Sequence, residues 1–185
     1  SLDAIHLPRS EKEQLRFAKL LADPPLDKTL LQSSDQGIRH LGAIAVRPHA
    51  ALASLMQGAT ARFNADIGSI TDLDADLIIA CAGMSLADLS GLHAPPLTGR
   101  LGQLETMPAG ASPSAIADGG YAVEAFGQLV FGATFEAANG APQITEAART
   151  QNLETLARLR PDVEPHDMTS RAAIRATTRD RLPFA

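Results

Sequence analysis

The residues best suited to chemistry stand together at the end of the sequence, in the segment RATTRDRLPFA that begins at Arg175. A turn-prone Thr-Thr pair follows the arginine, and then come Arg-Asp and Leu-Pro. A short apolar run, Ala172 to Ile174, directly precedes it and is typical of a strand. An arginine is suited to bind a carboxylate, because its planar guanidinium donates two parallel hydrogen bonds. We therefore predict a strand that delivers Arg175 to a site.

Patterns for several other kinds of catalysis are missing from the sequence. It has no Gly-x-Gly-x-x-Gly motif, so the usual cradle for a dinucleotide pyrophosphate is absent from this chain. The 5 histidines have no metal-ligand spacing, and Cys81 has no C-x-x-C partner. No serine lies in a Gly-x-Ser-x-Gly elbow. Hydrolases and metalloenzymes are therefore disfavoured, and we expect no metal.

Composition limits the class of protein. The 185 residues suffice for one well-buried domain, or for one domain and part of another. The net charge of −5 argues against holding nucleic acid by bulk electrostatics, although the arginines between Arg171 and Arg181 form a candidate basic patch. The single cysteine fits a reducing compartment. No apolar run approaches the length of a membrane span and the N-terminus shows no signal-peptide pattern, so we expect a cytoplasmic protein without a membrane partner.

Two segments place glycine where a strand ends or continues. Residues 77–83, LIIACAG, predict a strand buried on both faces, and Gly83 would let the backbone approach a ligand. A glycine needed only for a tight turn is an equal alternative from this segment alone. Residues 98–106, which follow a loop-like segment with Pro95-Pro96, carry the pair Gly102-Gln103.

The segment 118–136 predicts a β-hairpin, because two apolar runs flank Gly127-Gln128. It contains Tyr121, the only tyrosine, and the run Gly132-Ala133-Thr134. By itself, Tyr121 is best interpreted as a core aromatic with its hydroxyl at the surface.

The remaining elements follow from caps and periodicity. Ser10 and Glu13 form a capping box at the start of a helix that Pro24-Pro25 ends. The other predicted elements are a strand at 42–46, a helix from Pro48, a half-buried strand at 59–67, and a helix at 143–160 whose apolar face includes Ile144, Ala148, Leu156 and Leu159.

Taken in order, these motifs resemble the D-amino-acid-oxidase family of FAD-dependent amine oxidases. The residues that carry the resemblance are Gly83, Gly102-Gln103, Tyr121, Gly132 to Thr134, Arg175, Asp180 and Pro183. Within that family, the C-terminal segment is similar to the oxidoreductase part of the bifunctional enzymes that modify the wobble uridine of tRNA. The sequence departs from the family at Glu124, where the family has a proline, and at Ala185, beyond which the family continues with a glycine.

The resemblance implies a fold of the α+β or α/β class. It comprises a substrate domain, with a mostly antiparallel sheet plus helices, and partial elements of a Rossmann-like FAD-binding domain. We expect residues 1–57 to form the helical part and first strand of the substrate domain, and 98–172 its sheet, hairpin and helix. A βα segment of the FAD-binding domain would lie at 58–97, and the truncated C-terminal motif strand at 173–185.

The same resemblance implies the roles of site residues. Arg175 matches the family's substrate-binding arginine, and Tyr121 would be a second hydrogen-bond donor in that pocket, so these are the two predicted catalytic residues. The residues implied to contact FAD are Ala80, Gly83, Gly102, Gln103, Asp180 and Pro183.

The function that the resemblance implies is the FAD-dependent oxidation of a carboxymethylaminomethyl group on the tRNA wobble uridine. The partner would be tRNA, bound through a longer protein, and S-adenosylmethionine would serve only a separate domain. We expect this chain to be a piece of that protein, which by itself binds FAD weakly or not at all.

Two alternatives remain open from the sequence. A glycine or sarcosine oxidase of the same family would share the arginine. A binding module without flavin would explain the missing glycine-rich loop.

Overall fold

The computed structural model describes residues 2–25, 27–93, 95–110 and 113–180. The chain divides into two compact units, each assembled from three stretches of sequence. The first unit comprises Ser1–Pro48, Gln103–Thr134 and Ile144–Arg171. The second comprises His49–Gly102, Phe135–Gln143 and Ala172–Ala185.

The described residues form strands, α-helices and short 3-10 helices. The strands are β1 (Leu2–His6), β2 (Leu31–Ser34), β3 (Gly37–Ala43), β4 (Thr98–Pro108), β5 (Ser114–Ala117), β6 (Tyr121–Ala125), β7 (Gln128–Gly132), β8 (Glu136–Ala137) and β9 (Thr169–Thr177). The α-helices are α1 (Glu11–Ala22), α2 (Pro48–Leu55) and α3 (Glu146–Leu159). The 3-10 helices are Lys28–Leu30, Ile70–Asp72 and Gly83–Asp88.

A mostly antiparallel sheet forms the first unit. Its strand order is β2-β3-β1-β5-β6-β7 and then the later part of β4. β1 and β5 run parallel, and the other neighbours in this order are antiparallel. The predicted fold class, a mostly antiparallel sheet with helices, is therefore confirmed.

The core of the first unit lies between this sheet and α3. Leu156 and Leu159 of α3 are buried against residues of the strands. The strand residues in this cluster are Met107, Ala122, Leu129 and Phe131. Phe131 has no exposed surface and is the largest fully buried side chain of the described residues. The sheet is thus fixed against one helix.

Local signals set the ends of the helices. Ser10 caps α1 by accepting a hydrogen bond from the backbone N–H of Glu13. The Glu13 carboxylate in turn accepts from the backbone N–H of Arg9, one residue before the cap, at 2.8 Å, and it also pairs with the Arg9 guanidinium. Thr145 caps α3 through the N–H of Ala148. The Ser10 cap and both helices were predicted correctly, whereas the return hydrogen bond of the predicted capping box joins Glu13 to Arg9 rather than to Ser10.

The predicted hairpin is formed by β6 and β7. Phe126 and Gly127 make its two-residue turn, since Ala125 pairs with Gln128. Both turn residues have positive φ, 56° and 76°, as a type I′ turn requires. Phe126 is exposed, and the guanidinium carbon of Arg47 lies 4.6 Å from its ring centroid.

The second unit contains the first part of β4, which pairs with β8. The Thr177 hydroxyl of β9 donates to the carbonyl of Thr98 at 2.8 Å. Gly99 permits close packing there, because a Cβ at this position would lie 3.0 Å from that of Ala138 and 3.2 Å from Ile174.

The predictions of strands at 59–67 and 77–83 were wrong. Both segments are irregular apart from the start of a 3-10 helix at Gly83, and no strand pairs with either within the described residues. Phe63, Leu77 and Ile79 are consequently 85%, 77% and 77% exposed. An apolar pattern indicates which residues a strand would bury, but a strand also needs a neighbour to accept its hydrogen bonds.

Smaller differences concern positions near the ends of elements. The strand expected at 42–46 ends at Ala43 and begins earlier, at Gly37. Ile144 precedes α3 and is 55% exposed, so it does not belong to the buried face. None of the helices among the described residues has both the length and the apolar character needed to cross a membrane.

Replacement of Leu156 by alanine should destabilise the first unit by about 2–5 kcal/mol, because it leaves a cavity beneath α3. The matched control is Leu15→Ala on α1, where the side chain is 66% exposed and the expected change is within about 0.5 kcal/mol. Urea unfolding monitored by circular dichroism measures both values, and equal losses would contradict the assigned core.

The ion pair between Asp118 and Arg158 should make stability depend on pH. The Arg158 guanidinium donates two hydrogen bonds to this carboxylate and lowers the pKa of Asp118 below its usual value. The stabilisation that this ion pair gives the folded protein is therefore fully present above the ordinary carboxyl pKa of about 3.9. It is lost as the pH falls through the lowered pKa of Asp118 in the folded protein. The difference in melting temperature between the wild type and Arg158→Gln should be constant near neutrality and shrink in acid. A difference that persists in strong acid would exclude this pair as its source.

Candidate functional site

Arg175 of β9 lies directly over Gly102 of β4 within the second unit. A Cβ added at position 102 would be 2.4 Å from Nη1 and 2.8 Å from Cζ of the guanidinium. The absence of a side chain at Gly102 therefore makes the space in which the guanidinium rests. Arg175 was predicted to bind substrate and Gly102 to contact FAD; the structure brings the two residues together, and both roles stay predictions.

Arg100 shares a face of β4 with this contact. Alternate residues of a strand point to the same side, so positions 100 and 102 face the same way. The guanidinium carbon of Arg100 lies 5.5 Å from the ring centroid of Phe135. A second positive charge is thus carried on the side of the strand that Arg175 contacts.

Gln103, the next residue of β4, belongs to the first unit and is completely buried. Its side-chain oxygen accepts from the N–H of Thr145 at 2.8 Å, and its amide nitrogen donates to the Thr145 carbonyl at 3.2 Å. Its backbone N–H donates to the Thr134 hydroxyl at 2.9 Å, and its carbonyl accepts from the Asn152 amide at 3.0 Å. The side chain is thus engaged within the protein, and the expectation that Gln103 contacts FAD stays a prediction.

Glu105 is a buried carboxylate two residues further along β4, with no exposed surface. One of its oxygens accepts hydrogen bonds from the amides of Gln103, at 2.8 Å, and Asn152, at 3.3 Å. The other accepts from the hydroxyl of Ser170. A buried carboxylate needs such donors, because it has given up its hydration.

Arg149 of α3 provides the positive charge nearest to this carboxylate. Its Nε lies 3.8 Å from Glu105, beyond hydrogen-bond distance, and its Nη2 donates to the Ser170 hydroxyl at 2.9 Å. Within the described residues this Nε is buried without a hydrogen-bond partner. The Ser170 hydroxyl thus bridges Arg149 and Glu105, and these hydrogen bonds hold the three side chains in fixed positions.

Tyr121 begins β6 and is half-buried. Its backbone is directly across from Gly132 of β7, which is in turn across from Leu104 of β4. Gly132 has φ of +128°, and a Cβ there would lie 2.6 Å from the Asn152 side-chain oxygen, so only glycine fits. The role of Tyr121 as a hydrogen-bond donor to substrate stays a prediction.

The other residues expected to contact FAD lie in irregular segments. Ala80 is half-buried and precedes Gly83, which has φ of +60° and begins a 3-10 helix. No atom lies within 4 Å of a Cβ added at Gly83, so its backbone is open to an approaching group. Asp180 accepts a hydrogen bond from the Thr178 hydroxyl at 2.8 Å. Pro183 lies outside the described residues.

Glu105 and Asn152 were not predicted from the sequence to belong to a site. Asn152 is four residues after Ala148 and four before Leu156, on the buried face of α3. Glu105 alternates with the buried Gln103 and Met107 along β4. Each is a polar residue at a position where the pattern of the helix or strand predicts a buried side chain, and this was the signal by which they could have been found. Among the residues that the structure describes, no group of three or more His, Cys, Asp or Glu side chains is arranged to hold a metal ion.

Comparison with known proteins identifies relatives of the chain. The profile of the family described as DAO, FAD dependent oxidoreductase, matches residues 26–185. The "tRNA 5-methylaminomethyl-2-thiouridine biosynthesis bifunctional protein MnmC" of Burkholderia thailandensis is 32% identical over 143 residues, which is 72% of this chain and 22% of that protein. The proteins of the same name from Burkholderia mallei and Burkholderia pseudomallei are 30% identical over the same length. The chain therefore spans about a fifth of the length of these relatives.

A solved structure resembles the fold. The crystal structure of glycine oxidase from Geobacillus kaustophilus superposes with a TM-score of 0.69 and 18% sequence identity. The match covers 99% of this chain and 61% of that one. At this identity the likeness concerns the fold alone.

The contact between Gly102 and Arg175 predicts that Gly102→Ala displaces the guanidinium while the protein remains folded. The end of an arginine side chain is flexible, so the free energy of unfolding should change by less than about 1 kcal/mol. The NMR signal of the Arg175 Nε–H, assigned with Arg175→Lys, should shift clearly. Gly68→Ala is the control, because no atom lies within 4 Å of its added Cβ. An unchanged Arg175 signal in Gly102→Ala would refute the contact.

Proposed function

Since the chain belongs to the DAO family of FAD-dependent oxidoreductases, we propose that it takes part in oxidising a carboxymethylaminomethyl group on the wobble uridine of tRNA. The observation that carries the proposal is the Arg175 guanidinium held over Gly102, which suits a substrate carboxylate. The names of the MnmC relatives supply tRNA as the partner.

The reaction needs few protein groups. The substrate is a secondary amine next to a CH₂ that bears a carboxylate. Loss of a hydride from this carbon and a proton from the nitrogen gives an imine, and addition of water releases glyoxylate and leaves aminomethyl-uridine. FAD, when bound, supplies the acceptor for the hydride. The chain must hold the carboxylate, and therefore the CH₂, in a fixed position, which is the role proposed for Arg175.

Tyr121 is proposed as a second donor to the substrate. A phenol is able to donate one hydrogen bond to a carboxylate oxygen while its ring packs against apolar neighbours. Its half-buried position at the start of β6 is compatible with this role.

The residues present fit one part of FAD and not another. The open backbone at Gly83 is suited to the approach of a flat ring, because no side chain occupies that space. The sequence has no glycine-rich cradle for the pyrophosphate, which carries the charge of the dinucleotide. We therefore propose that Ala80 and Gly83 contact the ring and that the 185 residues alone hold FAD weakly.

The deciding experiment compares substrates under anaerobic conditions. The product of the complete gene is loaded with FAD, and the visible absorbance of oxidised flavin is followed after mixing. Bleaching by tRNA that carries carboxymethylaminomethyl-uridine, but not by glycine or sarcosine, is the expected result. Bleaching by the free amino acids alone would replace the proposal with an amino-acid oxidase. A failure of the whole product to retain flavin would favour a binding module.

Replacement of Arg175 should then reduce the rate of bleaching. Arg175→Gln removes both the charge and the paired donors, so kcat/KM for the tRNA should fall roughly 100-fold or more, which corresponds to about 3 kcal/mol of binding to a charged group. Arg175→Lys should recover only a part, since an ammonium group lacks the fork. Arg62→Gln, an exposed arginine of the same unit, is the control. Equal losses in Arg62→Gln and Arg175→Gln would remove Arg175 from the site.

A further inference from the structure

A cavity lies beside α1 in the first unit, and none of the residues assigned above to binding substrate or FAD is among its lining residues. Its volume is about 560 Å³, within the range of small-ligand sites. It is lined by His6, Glu13, Arg16, Phe17, Lys19, Leu20 and Asp23. The ring of Phe17 is half-buried and lies 4.9 Å from that of His6, measured between centroids, at an angle of 57°. An aromatic surface is thus presented inside a groove of considerable size.

Arg16 and Lys19 of α1 line this groove, and Lys12 lies one turn earlier on the same helix face, outside the lining. Lys12, Arg16 and Lys19 are spaced by four and three residues, so they lie on one face of the helix. This row extends over about 10 Å, which is longer than a single phosphate group. All three are exposed, and no ion pair among the described residues involves Arg16 or Lys19.

The acidic residues of the groove only partly offset these charges. Glu13 is already paired with Arg9, whose hydrogen bonds lower the pKa of this carboxyl to about 2. Asp23, at the far end of α1, is the other acidic residue in the lining. Arg9, Lys12, Arg16 and Lys19 together exceed Glu11, Glu13 and Asp23 by one positive charge, in a chain whose net charge is −5.

We infer that this groove binds an unpaired stretch of RNA, with a base stacked on Phe17 and backbone phosphates along Lys12, Arg16 and Lys19. Bases of single-stranded RNA stack on aromatic side chains, and neighbouring cations hold the phosphates. A row of three cations suits a chain of phosphates better than a free nucleotide with one. The inference rests on the proposed function, because it assigns to the tRNA substrate a contact distant in sequence from Arg175.

The test measures binding of a fluorescent oligouridine of roughly eight nucleotides to the 185-residue protein, by fluorescence anisotropy. With three phosphate contacts, affinity should fall about 20-fold between about 50 and about 200 mM salt. The double variant Arg16→Gln/Lys19→Gln should bind about tenfold more weakly at low salt, with its salt dependence reduced to roughly a third. Phe17→Leu should also lose about tenfold, since stacking on one ring is removed.

The controls separate this groove from general attraction. Lys28→Gln/Arg47→Gln removes two exposed positive charges elsewhere in the same unit, and its affinity should be close to that of the wild type. Circular dichroism and thermal melting establish that Phe17→Leu is folded, and the charge variants test the groove independently of that ring. An equal loss in the control variant would overturn the inference.

Two competitors identify the kind of ligand. Unlabelled oligouridine should displace the probe, whereas uridine monophosphate and a duplex RNA of the same length should displace it poorly. Displacement by the mononucleotide at equal concentration would make this a small-molecule site. Equal displacement by the duplex would mean that the groove attracts RNA by charge alone and does not select unpaired RNA. No flavin is involved, so oligouridine binding that is lost in the groove variants supports the groove even if tRNA fails to bleach the flavin.

Discussion

The buried carboxylate of Glu105 is the constraint on which the first unit depends most. A carboxylate without hydration is costly unless donors surround it, and here the donors come from three different elements. Gln103 is on the same strand, Asn152 on α3, and Ser170 on β9. A shift of the helix by one residue would leave the charge without Asn152. The polar group therefore fixes a helix position that apolar packing by itself leaves adjustable.

Gln103 extends that constraint to the beginning of α3. Its side chain closes two hydrogen bonds with the backbone of Thr145, the residue that caps the helix. Its backbone is held by Thr134 and Asn152. The residue next to Gly102 is thus held from several sides. These hydrogen bonds explain why a glutamine follows Gly102 without reference to a cofactor, and the contact with FAD remains a proposal.

The sequence was sufficient where structure is determined locally. The Ser10 cap, the proline at the start of α2, and the turn of the hairpin each depend on residues within four positions of one another. The hydrogen bonds of Glu105 join it to residues 47 and 65 positions away. Helical and strand periodicity indicate which side chains are buried, but they do not indicate which distant residues will be in contact. For the same reason the prediction of a strand at 77–83 was wrong, because an apolar pattern does not show whether a neighbouring strand is present to pair with it. Arg175 was identified through family resemblance, but the space that Gly102 provides for it became visible only in three dimensions.

The Gly102–Arg175 contact also limits how the two positions can change during evolution. Any side chain at 102 occupies the volume of the guanidinium, so a substitution there is accommodated only when residue 175 is shorter or turned away. An arginine introduced at 175 in a relative with a larger residue at 102 would find its place already filled. The two positions are therefore expected to covary, because an arginine at 175 takes this position only where residue 102 is glycine.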